Sequence, residues 1–148
     1  MMNKLELYQE LVNIVDDEIR VVYSSGSYAD IDGKIIELDD GKSKSPLDLF
    51  EDCLQPYLLI DMGFDVTKYC SLETFSLLHE LGHIVNGWIN PLEYKNFLDT
   101  FNGKEYPIYK IIKSYLELDD EYYATQWAYE FVKKNKNVLK RLEKEIER

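Results

Sequence analysis

The chain opens with apolar residues at helical spacing. Leu5, Tyr8, Leu11, Val12 and Val15 recur on one face of residues 3–16, which predicts an amphipathic helix. The period then shortens to two. Ile19, Val21 and Tyr23 alternate with Glu18, Arg20 and Val22, predicting a strand of about six residues. After the turn residues Ser24-Ser25-Gly26-Ser27, the segments Tyr28–Ile31 and Lys34–Leu38 flank Asp32-Gly33. That pair suits the left-handed dihedrals of a type I′ turn and predicts a hairpin. A short antiparallel sheet of at least three strands follows, closed by a polar loop over 39–44.

Beyond the sheet the pattern turns helical. Ser45-Pro46 reads as a cap followed by proline at the first helical position. Leu47, Phe50, Cys53 and Leu54 form the stripe of that helix, which Pro56 ends or kinks. Tyr57–Ile60 is short and apolar throughout, so periodicity leaves strand and helix both open. Residues 61–65 read as a loop. A helix capped by Ser71 runs to Asn86, where Gly87 suits the left-handed position past a helix end. Projected at the helical period, Leu77, Leu78, Leu81, Ile84 and Val85 gather on one side, and Ser76, His79, Glu80 and His83 on the other. Gly82 costs that helix about 1 kcal/mol against alanine, and suggests a site where another backbone passes close by.

Asn90-Pro91 starts a helix reaching about to Phe101, followed by helices over Ile108–Leu116 and Asp119–Lys134, with a break near Asn135. Val138, Leu139, Leu142 and Ile146 then carry an apolar stripe almost to the end. No internal repeat or domain boundary interrupts the pattern. The expectation is one α+β domain over 1–148.

Charge narrows the function classes. The net charge of −11 argues against nonspecific binding to nucleic acid or to an anionic membrane. Residues 1–132 hold ten basic and twenty-five acidic residues, while 133–148 hold seven basic and three acidic. A short basic tail of this kind reads as a solvated helix face. Cys53 and Cys70 lack the spacing of a metal-binding or disulfide framework and are expected to be reduced thiols. The first residues do not read as a signal peptide, so the expected location is the cytoplasm.

Both histidines of the chain fall in His79-Glu80-Leu81-Gly82-His83. On a helix, residues four apart share a face, so two imidazoles reach one metal ion while Glu80 stands beside them to handle the proton of an attacking water. A catalytic zinc takes three protein ligands and leaves a position open. With no third histidine, a carboxylate is the natural third donor. Glu117, Asp120 and Glu121 all project near the Ala124/Ala128 face of the downstream helix, and spacing alone does not choose among them.

HELGH followed by Glu121-x-x-Ala124-x-x-Trp127-Ala128 resembles the HExxH-plus-Glu metallopeptidases of the ImmA/IrrE family, found in phages, mobile elements and bacterial stress regulation. The resemblance implies a zincin-like (gluzincin-like) domain, with zinc held by His79, His83 and Glu121 and with Glu80 as the general base. It implies that strand 34–38 lies as the edge strand beside the cleft, where a substrate strand would pair. It also implies a protein substrate, in this family a helix-turn-helix repressor. Tyr28, Tyr122 and Tyr123 are candidates to stabilise an oxyanion. Three features depart from the family pattern: Thr125 where Asn or Asp is usual, Tyr123 where an acid is common, and the insertion-like stretch 41–70. Two functions follow as expectations: a zinc endopeptidase acting on a protein partner, or a catalytically silent module of the same fold that sequesters one.

Overall fold

The computed structural model describes residues 2–24, 28–39, 58, 61–88, 91–101, 105 and 107–147. The segment predicted to form a helix after Ser45-Pro46 lies outside these, as does Tyr57–Ile60 apart from Leu58, a buried helical position.

Helix α1 spans Lys4–Asn13. Asn3 caps it reciprocally with Glu6: the Glu6 N–H donates to Asn3 Oδ1 at 2.8 Å, and the Asn3 N–H to Glu6 Oε1 at 3.5 Å. Its buried face is Leu7, Tyr8, Leu11 and Val12.

Three strands follow, β1 (Arg20–Ser24), β2 (Tyr28–Asp30) and β3 (Ile35–Asp39), in the order β1-β3-β2. β2 runs antiparallel to β3, with Tyr28 opposite Glu37 and Asp30 opposite Ile35. β1 runs parallel to β3, with Arg20 opposite Ile35 and Ser24 opposite Asp39. The sheet is therefore mixed, not antiparallel throughout. β3 is its centre, not the edge strand that the resemblance implied; the edge strand of the hairpin is β2. Burial accounts for the order. β3 buries Ile36 and Leu38 fully, whereas β2 has three residues and leaves Tyr28 exposed, as suits an edge. Alternation along a strand reports its buried face and carries no information about its neighbours.

The hairpin turn differs as well. Four residues, 31–34, separate the last pair, and the left-handed residue is Lys34 (φ 53°), not Gly33. Asp30 Oδ1 accepts the Gly33 N–H at 2.9 Å, and a β-carbon on Gly33 would stand 2.5 Å from Asp30 Oδ2. The glycine there makes room for a carboxylate. Lys34 is held by Asp16 and Glu18, each 3.0 Å from its Nζ.

Helix α2 (Leu72–Asn86) carries the motif. Ser71 Oγ accepts the Thr74 N–H at 3.1 Å, and Gly87 ends the helix at φ 74°, both as expected. α3 (Pro91–Phe101), α4 (Ile108–Leu116), α5 (Asp119–Lys134) and α6 (Lys136–Glu147) complete the chain. Asn135 breaks α5 from α6 at φ −127°, ψ 35°, its side-chain amide donating to the Phe131 carbonyl.

α2 lies between the sheet, where β2 and β3 pack on it, and α5 on its other side. It is consequently buried on both faces from Thr74 to Ile84. Val85, grouped with the apolar side by projection, is exposed. The core runs from α1 (Tyr8, Val12) through the strands (Val21, Ile36, Leu38) and α2 (Phe75, Leu77, Leu78, Leu81) to α5 and α6 (Ala128, Val132, Leu139). The architecture is α+β, with six α-helices and one small sheet among the described residues. No described helix is long and apolar enough to cross a membrane.

Candidate metal centre

His79 and His83 are one turn apart on α2, their rings edge to face with centroids 4.8 Å apart. α5 passes directly over them because two small residues meet. A β-carbon on Gly82 would lie 2.7 Å from the Ala124 carbonyl oxygen, so the helices approach as the glycine suggested. This contact carries Glu121, one turn before Ala124, to the histidines. His79 Nε2 is 2.7 Å and His83 Nε2 2.9 Å from the same oxygen, Glu121 Oε2. One potential ligand atom from each of the three residues lies within 4.8 Å of the others, and all three side chains are buried.

The other two acids take different places. Glu117 is exposed at the end of α4. Asp120 is buried, and its Oδ1 accepts the Glu121 N–H at 3.0 Å. Asp119 is exposed, and its N–H donates to Glu93 Oε1 of α3 at 2.7 Å. Two N–H groups in the first turn of α5 thus meet carboxylates, a favourable placement for negative charge.

The donor set fits a metal ion. Thr125 Oγ1 is 2.9 Å from His79 Nδ1, which engages that nitrogen and turns Nε2 toward Glu121. Two imidazole nitrogens and a carboxylate oxygen are donors of the type zinc takes. Protons hold the same three groups together when no metal does. Burial opposes charge on Glu121, but the hydrogen bonds from His79 and His83 outweigh it and keep the carboxyl well below its ordinary range. Burial likewise depresses His83, and the bond to Glu121 overcomes it and raises the pKa.

Glu80 is buried beside this group, and burial raises its pKa, partly offset by the two imidazoles. Among the described residues no hydrogen bond or ion pair engages its carboxylate. A buried carboxyl of raised pKa is chemically suited to take and return a proton.

Tyr28, Tyr122 and Tyr123 are all exposed; Tyr122 and Tyr123 pack on each other, and Tyr123 also on Trp88. Among the described residues, a tyrosine that reaches the site is Tyr115 of α4, whose hydroxyl donates to Glu121 Oε1 at 2.7 Å. Burial and the Glu121 charge raise its pKa well above the ordinary value, so it remains a donor. Spacing could not single it out, because the chain turns at Glu117-Leu118 between the two helices. Thr125 stands where the resembled family has Asn or Asp, and in the structure its hydroxyl meets His79 Nδ1.

Cys70 is a free thiol, buried, with burial pushing its pKa up to about 12. It is not part of the cluster. Cys53 lies outside the described residues.

No protein-family model, no curated protein and no solved structure matches the chain.

Proposed function

We propose that the protein is a zinc-dependent metalloendopeptidase of ImmA/IrrE type that cuts a protein partner. One observation carries the reading: His79, His83 and Glu121 converge through single donor atoms beside the buried carboxyl of Glu80. Zinc bound there would bring the pKa of its water to about 7 and polarise a carbonyl.

The chain's own residues supply the rest. His79 and His83 present Nε2, with the first ring turned by Thr125. Glu80 takes the proton of the attacking water and returns it to the leaving nitrogen; its raised pKa brings it nearer the working pH, where such a relay is most effective. Among the described residues β2 is an edge strand of the sheet and packs on α2, a place where an extended substrate strand could add to the sheet.

The acidic surface argues for a partner that is itself a protein, not nucleic acid. In the resembled family that partner is a helix-turn-helix repressor, and we extend the same class of substrate to this chain.

Metal analysis of purified protein beside Glu80→Gln tests the reading. The wild type should hold one zinc per chain and act on its partner, while the variant should hold zinc and lose the activity. Full function in Glu80→Gln would instead favour sequestration without cleavage.

A further inference from the structure

Glu121 presents its two oxygens to different neighbours. Oε2 meets both histidines, while Oε1 accepts the Tyr115 hydroxyl at 2.7 Å. The tyrosine is itself held from behind. Its ring packs on Phe97 and Tyr94 of α3, with centroids 5.7 and 6.3 Å away. The same helix also reaches the start of α5, through the bond from the Asp119 N–H to Glu93. α3 therefore braces both the phenol and the turn of helix that carries Glu121.

A carboxylate with two free oxygens binds a metal ion through one or both. A strong donor on one oxygen removes that choice. We propose that Tyr115 is a positioning residue that keeps Glu121 a one-oxygen ligand, with Phe97 and Tyr94 holding the phenol in place. This rests on the metallopeptidase reading above and deepens it. Three single-atom donors leave a position for water, whereas a second carboxylate oxygen would compete for it. The hydroxyl acts through Glu121 and need not touch substrate.

Tyr115→Phe tests this, because it removes the hydroxyl and keeps the ring against α3. Two quantities are read on the full chain: zinc affinity by chelator competition, and the visible absorption of the cobalt(II)-loaded protein, which weakens as coordination number rises. Zinc affinity should fall about 10–100-fold, the usual effect of removing a partner of a ligand, and the cobalt bands should weaken. Unchanged affinity and bands overturn the proposal. So does a fall in affinity with unchanged bands, which would mark a general loosening of the fold. Phe97→Leu leaves the hydroxyl in place and should weaken the bands by a smaller amount; no change there overturns the role given to α3. If the wild type itself takes up neither metal, the metallopeptidase reading fails and this proposal with it. A loaded wild type with an unresponsive Tyr115→Phe overturns the tyrosine's role alone.

Discussion

Gly82 lies against the backbone of Ala124: a β-carbon on the glycine would stand 2.7 Å from the alanine carbonyl oxygen and 3.0 Å from its α-carbon. Backbone cannot move aside as a side chain does, so this contact sets the spacing of α2 and α5. It thereby sets the distance from the histidines to Glu121. Gly82→Ala gains about 1 kcal/mol of helix propensity, but forcing the helices apart costs roughly 1–3 kcal/mol. The expected net result is a destabilised protein whose metal affinity falls with its melting temperature. A variant more stable than the wild type would show that the helices give way at no cost.

Thr125 engages His79 Nδ1 at 2.9 Å. Thr125→Val keeps the shape and removes the hydroxyl, leaving the ring without that partner. Zinc affinity should drop about 10–100-fold, the range for partners of ligating histidines. Isothermal titration against the wild type measures it. Equal affinities would mean that packing alone orients the imidazole.

Glu80 is expected to trade stability for chemistry. Burial raises its folded pKa above the ordinary 4.5. The neutral carboxyl is thus the form the fold tolerates better. Its contribution is fully present below pH 4.5 and is lost as pH rises through the folded value. Glu80→Gln, neutral at every pH, should melt higher than the metal-free wild type at pH 8, and the gap should close toward pH 4. Under the proposed function, activity on the protein partner should fall about 10²–10⁴-fold. Melting curves across this range, with chelator present, decide the first point. A gap that widens on acidification would reverse the sign of the burial effect.

Cys70 should be unreactive in the folded protein. Its thiol is buried and its pKa is pushed up to about 12, so almost no thiolate exists near neutrality. In a Cys53→Ser background, labelling by an aromatic disulfide reagent at pH 8 should be slow without denaturant and rapid with it. Rapid labelling of the native protein would place the thiol at the surface.

Much of this molecule is local, and local features were legible. Ser71 and Gly87 bound α2 because a cap hydroxyl and a left-handed glycine act on their own turn. Residues 108–116 and 119–134 are helices with the boundaries that periodicity assigns. HExxH placed two imidazoles on one face for the same reason: the helical repeat is a property of neighbouring residues.

The remainder depended on distant parts of the chain. β1 pairs with β3 in parallel, and the central place of β3 goes with its two buried apolar side chains. Alternation within a strand does not report this. The acid that meets the histidines was one of three on spacing alone. The approach of Gly82 to Ala124 brings Glu121 there, while Asp120 accepts the Glu121 N–H and Glu117 stays at the surface. Tyr115 joins them across a helix break that no periodicity spans. The sequence by itself determined the helices and the two-histidine face, because those forces act within a turn or two. Tertiary packing decided what stands opposite that face, because it depends on how closely two backbones can approach.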